Sequence, residues 1–269
     1  MPEIHDAAAR GFQASSDAYE RGRPEYPEAA IARLAEATAL SRARVAVDLG
    51  AGTGKLTRLL PARCPGRVIA VEPVEGMRRK FTELQPGIEI VAGTAEKMPL
   101  ADGSADAVVA AQAFHWFSGE RALGEIRRVL RPGGRLGLIW NARDESIDWV
   151  AELTRIIDPH EGGAPRYRSG LWREAFVPGS GFSPLEQAEF RHVHAAAPEG
   201  IVDRIASISF IASLESSPRE AVLDEVRQLL STHPATRGRS TVALPYRTDV
   251  YWCSSEAGPK AGPARGTSP

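Results

Sequence analysis

Short apolar runs separated by stretches of helical spacing dominate the chain. Val45–Leu49 is apolar and rich in β-branched residues, and glycines follow it. Val68–Val71, Ile88–Ala92, Ala105–Ala111 and Arg135–Trp140 repeat the pattern. Runs of this length that are continuously apolar, rather than alternating, predict strands covered on both faces. Between them the spacing predicts helices over Thr53–Leu60 (ended by Pro61), Glu75–Leu84 and Glu120–Leu130. The last of these carries Leu123, Ile126, Val129 and Leu130 on one helical face. Arg131-Pro132-Gly133-Gly134 predicts a turn. An earlier helix is predicted from Pro24-Glu25-Tyr26-Pro27 to about Leu40, through Ile31, Leu34 and Ala35. Strands alternating with helices predict βαβ units and a parallel sheet.

The rhythm changes after Trp140. Helices are predicted over Ser146–Ile157, Glu199–Leu214 and Pro218–Leu230. Residues 158–184 are rich in Gly, Pro and Arg and predict loop with short helices. Leu185–His194 alternates and predicts a strand, as does Arg247–Cys253. The segment 1–23 is polar and mixed, and 254–269 is rich in Gly, Pro, Ser and Ala with no apolar period, so the tail is expected to be disordered.

Composition narrows the function classes. The 269 residues are 43% hydrophobic and 25% charged, enough for a substantial core. A formal net charge of -1 lacks the basic footprint of a nucleic-acid binder. No apolar run is long enough to span a membrane and no signal-peptide core opens the chain. A cytoplasmic protein with no membrane or nucleic-acid partner is expected. Cys64 and Cys253 fit no metal spacing or disulfide framework, so two reduced thiols are expected. His192 and His194 share one face of a predicted strand, but no third ligand is visible and no metal is expected.

The chemistry-bearing constellation is Val47-Asp48-Leu49-Gly50-Ala51-Gly52-Thr53-Gly54, between a predicted strand and a predicted helix. Glycine permits the sharp turn and the close ligand approach such a junction needs, and a helix N-terminus offers free N–H groups. Dinucleotide sites use G-x-G-x-x-G. Here the third glycine falls one residue early, and Lys55 stands at the dinucleotide position. That spacing, with Asp48 before the loop, points to a nucleoside without a pyrophosphate. Glu72 ends the second strand about 20 residues past the glycines, where a carboxylate can accept from two ribose hydroxyls.

At these residues the chain resembles the class I S-adenosylmethionine (SAM)-dependent methyltransferases of the small-molecule type, similar to the ubiquinone and trans-aconitate enzymes. VDLGAGTG, VIAVEP, GTAEKMPLADGSADAVVAAQAFHWF and LRPGG carry the resemblance, which covers Ala18 to Asn141 well and continues more loosely to Leu244–Thr248. It implies a Rossmann-like, doubly wound α/β fold: a mostly parallel seven-stranded sheet with an antiparallel edge strand and helical cap insertions. Residues 1–253 would form one domain, with a lid and helix over 1–40, the SAM-binding core over 41–141, and the cap and last strands over 142–253. The resemblance further implies that Gly50, Ala51 and Gly52 line the methionine part of SAM. Asp48 would order the loop and face the methionine ammonium. Glu72 would hold the ribose, and Pro73 and Val74 the adenine rim. Thr94, Ala95 and Glu96 would contact the adenine, with Thr94 where many members have Asp. Gln112 would begin the segment that closes over the cofactor. Tyr19, Arg21 or Arg23 would donate to the SAM carboxylate.

Methyl transfer from a sulfonium is a direct displacement, so alignment and exclusion of water matter most, and a base is needed only for a protonated acceptor. His115, in Gln112-Ala113-Phe114-His115-Trp116-Phe117 after the fourth strand, is the candidate base. His115, Trp116 and Phe117 are the candidate walls of a pocket for a small organic acceptor. An NAD(P)-dependent oxidoreductase and a non-catalytic SAM-binding protein are the alternatives left open. Oligomeric state is not legible.

Overall fold

The computed structural model describes residues 23–163 and 165–256. Seven strands form one sheet in the order β3-β2-β1-β4-β5-β7-β6. The strands are β1 (Val45–Leu49), β2 (Arg67–Val71), β3 (Glu89–Val91), β4 (Ala105–Ala111), β5 (Leu130–Arg143), β6 (Glu186–Ala196) and β7 (Val242–Ser254). The ladders from β3 through β5 are parallel, as the continuous apolar runs imply. β7 lies antiparallel between β5 and β6. The winding reverses between β1 and β4, and such a switch point opens a crevice at the carboxyl ends of the strands. Leu49 and Ala111 end on that crevice.

Helix α1 (Glu28–Ala37) buries Ala30, Ile31, Leu34 and Ala37 against one face of the sheet, in a core shared with Val109, Ile139 and Val250. Helices α2 (Glu75–Leu84) and α3 (Gly119–Val129) complete the βαβ units. α3 packs on the other face, where Leu123, Ile126 and Val129 join Val47, Val108 and Leu138. A third core belongs to the cap: α4 (Asp148–Ile157), α5 (Pro198–Ala206), α6 (Ser209–Ala212) and α7 (Ser216–Thr232), closed by Leu244 and Tyr246 of β7.

Four elements depart from expectation. The helix expected over Thr53–Leu60 is a single 3-10 turn, Thr57–Leu59. Gly52 and Gly54 have φ of +58° and +92°, which right-handed helix cannot contain, and the Thr57 hydroxyl turns back to Asp48. The turn expected at Arg131–Gly134 lies inside β5, where the ladder slips register between Ala105 and Ala107. The helix expected over Glu199–Leu214 breaks into α5 and α6, with the Ser207 hydroxyl bonding the Arg204 carbonyl at 2.7 Å. β7 begins at Val242 rather than Arg247, because its first residues roof the cap core. Among the described residues, Cys64 and Cys253 are free and buried, and no helix is long and apolar enough to cross a membrane.

Gly137 sets how closely α1 approaches β5. A Cβ there would stand 2.6 Å from both Leu34 Cδ1 and Thr38 Cγ2, inside contact distance. Gly137→Val should therefore lower the unfolding free energy by about 2 kcal/mol, the scale of overpacking in a filled core. Urea denaturation checks it, and an unchanged midpoint would mean that α1 is not seated at this position.

Candidate functional site

The loop after β1 is shaped by two glycines. Gly50 has φ +71°, and a Cβ there would meet Ala113 Cβ at 2.9 Å and the Phe117 ring at 3.4 Å. Its N–H and that of Ala51 both donate to the Val71 carbonyl, at 2.8 and 3.2 Å, tying the loop to the end of β2. At Gly52 a Cβ would meet nothing within 4 Å, so the loop faces open volume on that side.

Two carboxylates lie beneath it. Asp48 is fully buried, and its Oδ2 accepts from Thr57 Oγ1 at 2.5 Å. Its Oδ1 has no partner in the protein. Burial, with the neighbouring Glu72 charge, pushes the Asp48 carboxyl up to about 7. Glu72, also buried, accepts from the Gly52 N–H at 3.0 Å and the Val74 N–H at 2.9 Å. Burial raises its pKa, opposed by these two bonds. Arg78 donates to the Glu72 and Pro73 carbonyls at 2.9 and 2.6 Å, clamping the turn into α2.

The remaining predicted contacts follow β3 and β4. Thr94 and Lys97 exchange backbone hydrogen bonds in a tight turn, leaving Thr94 Oγ1 buried and without a partner. Ala95 is in the core, and Glu96 accepts from the Ser118 N–H at 2.8 Å. Gln112 adopts φ +55°, strained for a side chain, and donates from Nε2 to the Asn141 carbonyl at 3.0 Å. Tyr19 and Arg21 lie outside the described residues.

Arg23, Gln112, His115, Trp116 and Asn141 line a cavity where β4 and β5 end. Phe117 instead packs edge-on to Phe114, beside Gly50. His115 Nδ1 accepts from the Trp140 indole N–H at 3.1 Å. An indole nitrogen only donates, so Nδ1 is the unprotonated nitrogen and neutral His115 carries its proton on Nε2. Burial, with the Arg166 and Arg23 charges, pushes the His115 pKa down to about 3.

A strap over residues 23–25, part of the lid expected over 1–40, borders this cavity through Arg23. Lys55 donates to the Arg23 carbonyl at 3.1 Å and to Glu25 at 3.2 Å, and Arg58 also bonds Glu25. Asn141 Nδ2 donates to the Glu25 carbonyl at 3.2 Å, and its Oδ1 accepts from Thr248 at 2.6 Å. Lys55 stood out in the sequence only as a departure from dinucleotide spacing. Asn141 carried no signal beyond its place at the end of a strand. Among the described residues, no group of three or more His, Cys, Asp or Glu forms a metal site.

Residues 47–138 match the methyltransferase domain family. An uncharacterized methyltransferase of Mycobacterium tuberculosis is 43% identical over 237 residues, 88% of this chain and 92% of that one. An uncharacterized methyltransferase-like protein of Schizosaccharomyces pombe is 36% identical over 245 residues, 90% and 93% of the two chains. Among solved structures, a type II methyltransferase candidate from Anaeromyxobacter dehalogenans aligns with TM-score 0.61 at 25% identity, covering 87% of this chain and 97% of that one.

The buried Asp48 has a measurable consequence. It ionises near 3.8 in the unfolded chain and near 7 when folded, so between those values the unfolded state binds fewer protons and stability falls as pH rises. Asp48→Asn should therefore melt at the same temperature as the parent at about pH 4 and at a higher one at about pH 8. Calorimetry at both pH values checks this, and no gain at the higher pH would mean that Asp48 titrates as an ordinary carboxylate.

Proposed function

The chain belongs to the class I methyltransferase family, and on that premise we propose that it transfers the methyl group of SAM to a small organic acceptor. The observation that carries this reading is the partnerless Asp48 Oδ1 beneath a glycine loop whose Gly52 faces open volume. A buried carboxylate oxygen without a donor suits a cationic ligand group, and the bare backbone beside it suits a narrow aliphatic chain. The methionine ammonium and side chain of SAM have those properties.

The other residues fit in turn. Glu72 retains lone pairs for the ribose hydroxyls while its bonds to Gly52 and Val74 hold the loop in place. Thr94 Oγ1 faces the adenine, with Pro73 and Ala95 at its rim. Glu96 acts one step back, through Ser118. Gln112 closes the segment between cofactor and acceptor, and Arg23, alone or with Tyr19, serves the SAM carboxylate. When bound, SAM supplies a methyl on a sulfonium, and displacement leaves the neutral thioether S-adenosylhomocysteine (SAH). Lys55, engaged with Arg23 and Glu25, fills the position a dinucleotide loop keeps for glycine, which weighs against an NAD(P) enzyme. Two buried free thiols and the near-neutral charge favour a cytoplasmic protein acting on a small molecule rather than on nucleic acid.

His115 is better suited to donate than to accept. A group with pKa of about 3 is a feeble base at neutral pH, and its lone pair is already held by Trp140. Its Nε2–H is left to orient an acceptor.

Three measurements test the reading. Gly52→Val should abolish SAH binding by calorimetry, because a branched side chain would fill the open volume; retained affinity would refute the site. Glu72→Ala should weaken SAH by about 1.5–3 kcal/mol, the worth of hydrogen bonds to a charged group. An effect on turnover alone would contradict the ribose role. With an acceptor in hand, the rate should show no His115 inflection between about pH 5 and 8, where an ordinary histidine titrates. A rate that falls below about pH 6.5 in the parent, and not in His115→Asn, would restore the base.

A further inference from the structure

The cavity where β4 and β5 end contains more positive charge than the methyl-transfer reading uses. Arg23, Arg143, Arg166, Arg168 and Arg204 line it, against Glu145 as the lining carboxylate among the described residues. Arg168 is neutralised from outside by Asp158 at 2.7 Å and by Glu161. Arg143, Arg166 and Arg204 are not matched in that way. They come from the end of β5, the loop after α4 and helix α5, so the fold brings them together from distant parts of the chain.

Their donors are left over. Arg204 is 6% exposed, and neither its Nε nor its Nη1 has a partner in the protein. Arg143 Nε is buried without a partner, and its Nη2 reaches Thr154 Oγ1 only at 3.4 Å. Arg166 Nη1 makes no hydrogen bond, with Glu161 at 3.7 Å, and its guanidinium lies 4.7 Å from the Phe210 ring centre. The Tyr246 hydroxyl in the same wall is also buried and unpartnered. Burial, with Arg204 and Arg166 nearby, lowers the Arg143 pKa to about 10. Gathered, buried guanidinium groups without acceptors destabilise a folded chain unless something supplies the lone pairs.

We propose that the acceptor is an anion, held through a carboxylate or phosphate group by Arg143, Arg166 and Arg204, with Gln112 and His115 between that anchor and the glycine loop. A planar guanidinium matches either oxyanion with paired N–H···O bonds. The inference rests on the methyl-transfer reading only in calling the ligand an acceptor; the anion site stands on the arginines themselves.

Calorimetric titration of the full chain tests it, with citrate and with inorganic phosphate as separate probes. Each is titrated at matched ionic strength in chloride, with and without SAH. Saturable binding of at least one probe is expected, and the tighter of the two identifies the anchored group. Arg143→Gln and Arg204→Gln should each weaken that probe by about tenfold or more, leaving the SAH affinity within about twofold. Arg204→Met serves as the folding control. It removes a buried unpaired charge, so it should melt above the parent without an anion and lose the parent's anion-induced rise in melting temperature. The proposal is overturned if neither probe saturates, or if both glutamine variants bind the probe as the parent does. A parallel fall in SAH affinity also overturns it, since the arginines would then serve the cofactor's own carboxylate. A protein that binds the probe through these arginines but does not bind SAH would refute methyl transfer and leave the anion site intact.

Discussion

Asp48 and Glu72 are held out of water at the carboxyl ends of adjacent strands, and the glycine loop is built around that fact. A buried carboxylate needs donors. Glu72 takes two from the backbone, at Gly52 and Val74, and Asp48 takes one from Thr57. Those bonds position the loop, divert the segment after it from helix, and leave one Asp48 oxygen without a partner in the protein. The cost of burying the two charges is offset by a site arranged before anything enters it.

Much of this was legible in the chain. The strands read as unbroken apolar runs because both faces of the sheet are covered. The loop read as a turn because only glycine tolerates φ of +71° beside Ala113. The helix expected after it was not legible as a 3-10 turn. What prevents one is the positive φ at Gly54, together with a tertiary bond from Thr57 to a carboxylate nine positions earlier. The role of Glu72 was only half visible: its distance past the glycines suggested a ribose, but nothing local shows that it also ties down Gly52. The arginine cavity was invisible for a similar reason. Arg143, Arg166 and Arg204 sit among other arginines in polar or mixed stretches, and only the docking of the cap puts them in one wall.

The cap and the core meet through polar contacts as well as apolar ones. Asn141, at the end of β5, bonds the strap at Glu25 with one side-chain atom and Thr248 of β7 with the other. The strap is held again from the loop side by Lys55 and Arg58. The segment 23–25, the glycine loop and the final strand therefore share one hydrogen-bonded junction at the mouth of the crevice.

The place of β7 in the sheet has a consequence for how the chain comes to be folded. β5 pairs with β4 on one side and with β7 on the other, while β6 has only β7 as a neighbour. During synthesis the first five strands emerge well before residues 242–254. Until those arrive, β5 presents an open edge, β6 has nothing to pair with, and the cap core lacks Leu244 and Tyr246. Contacts spanning more than a hundred residues are slow to form. The nascent protein thus carries an unsealed sheet edge while the whole segment between β5 and β7 is made, and insertion of a single late strand both closes that edge and completes the cap.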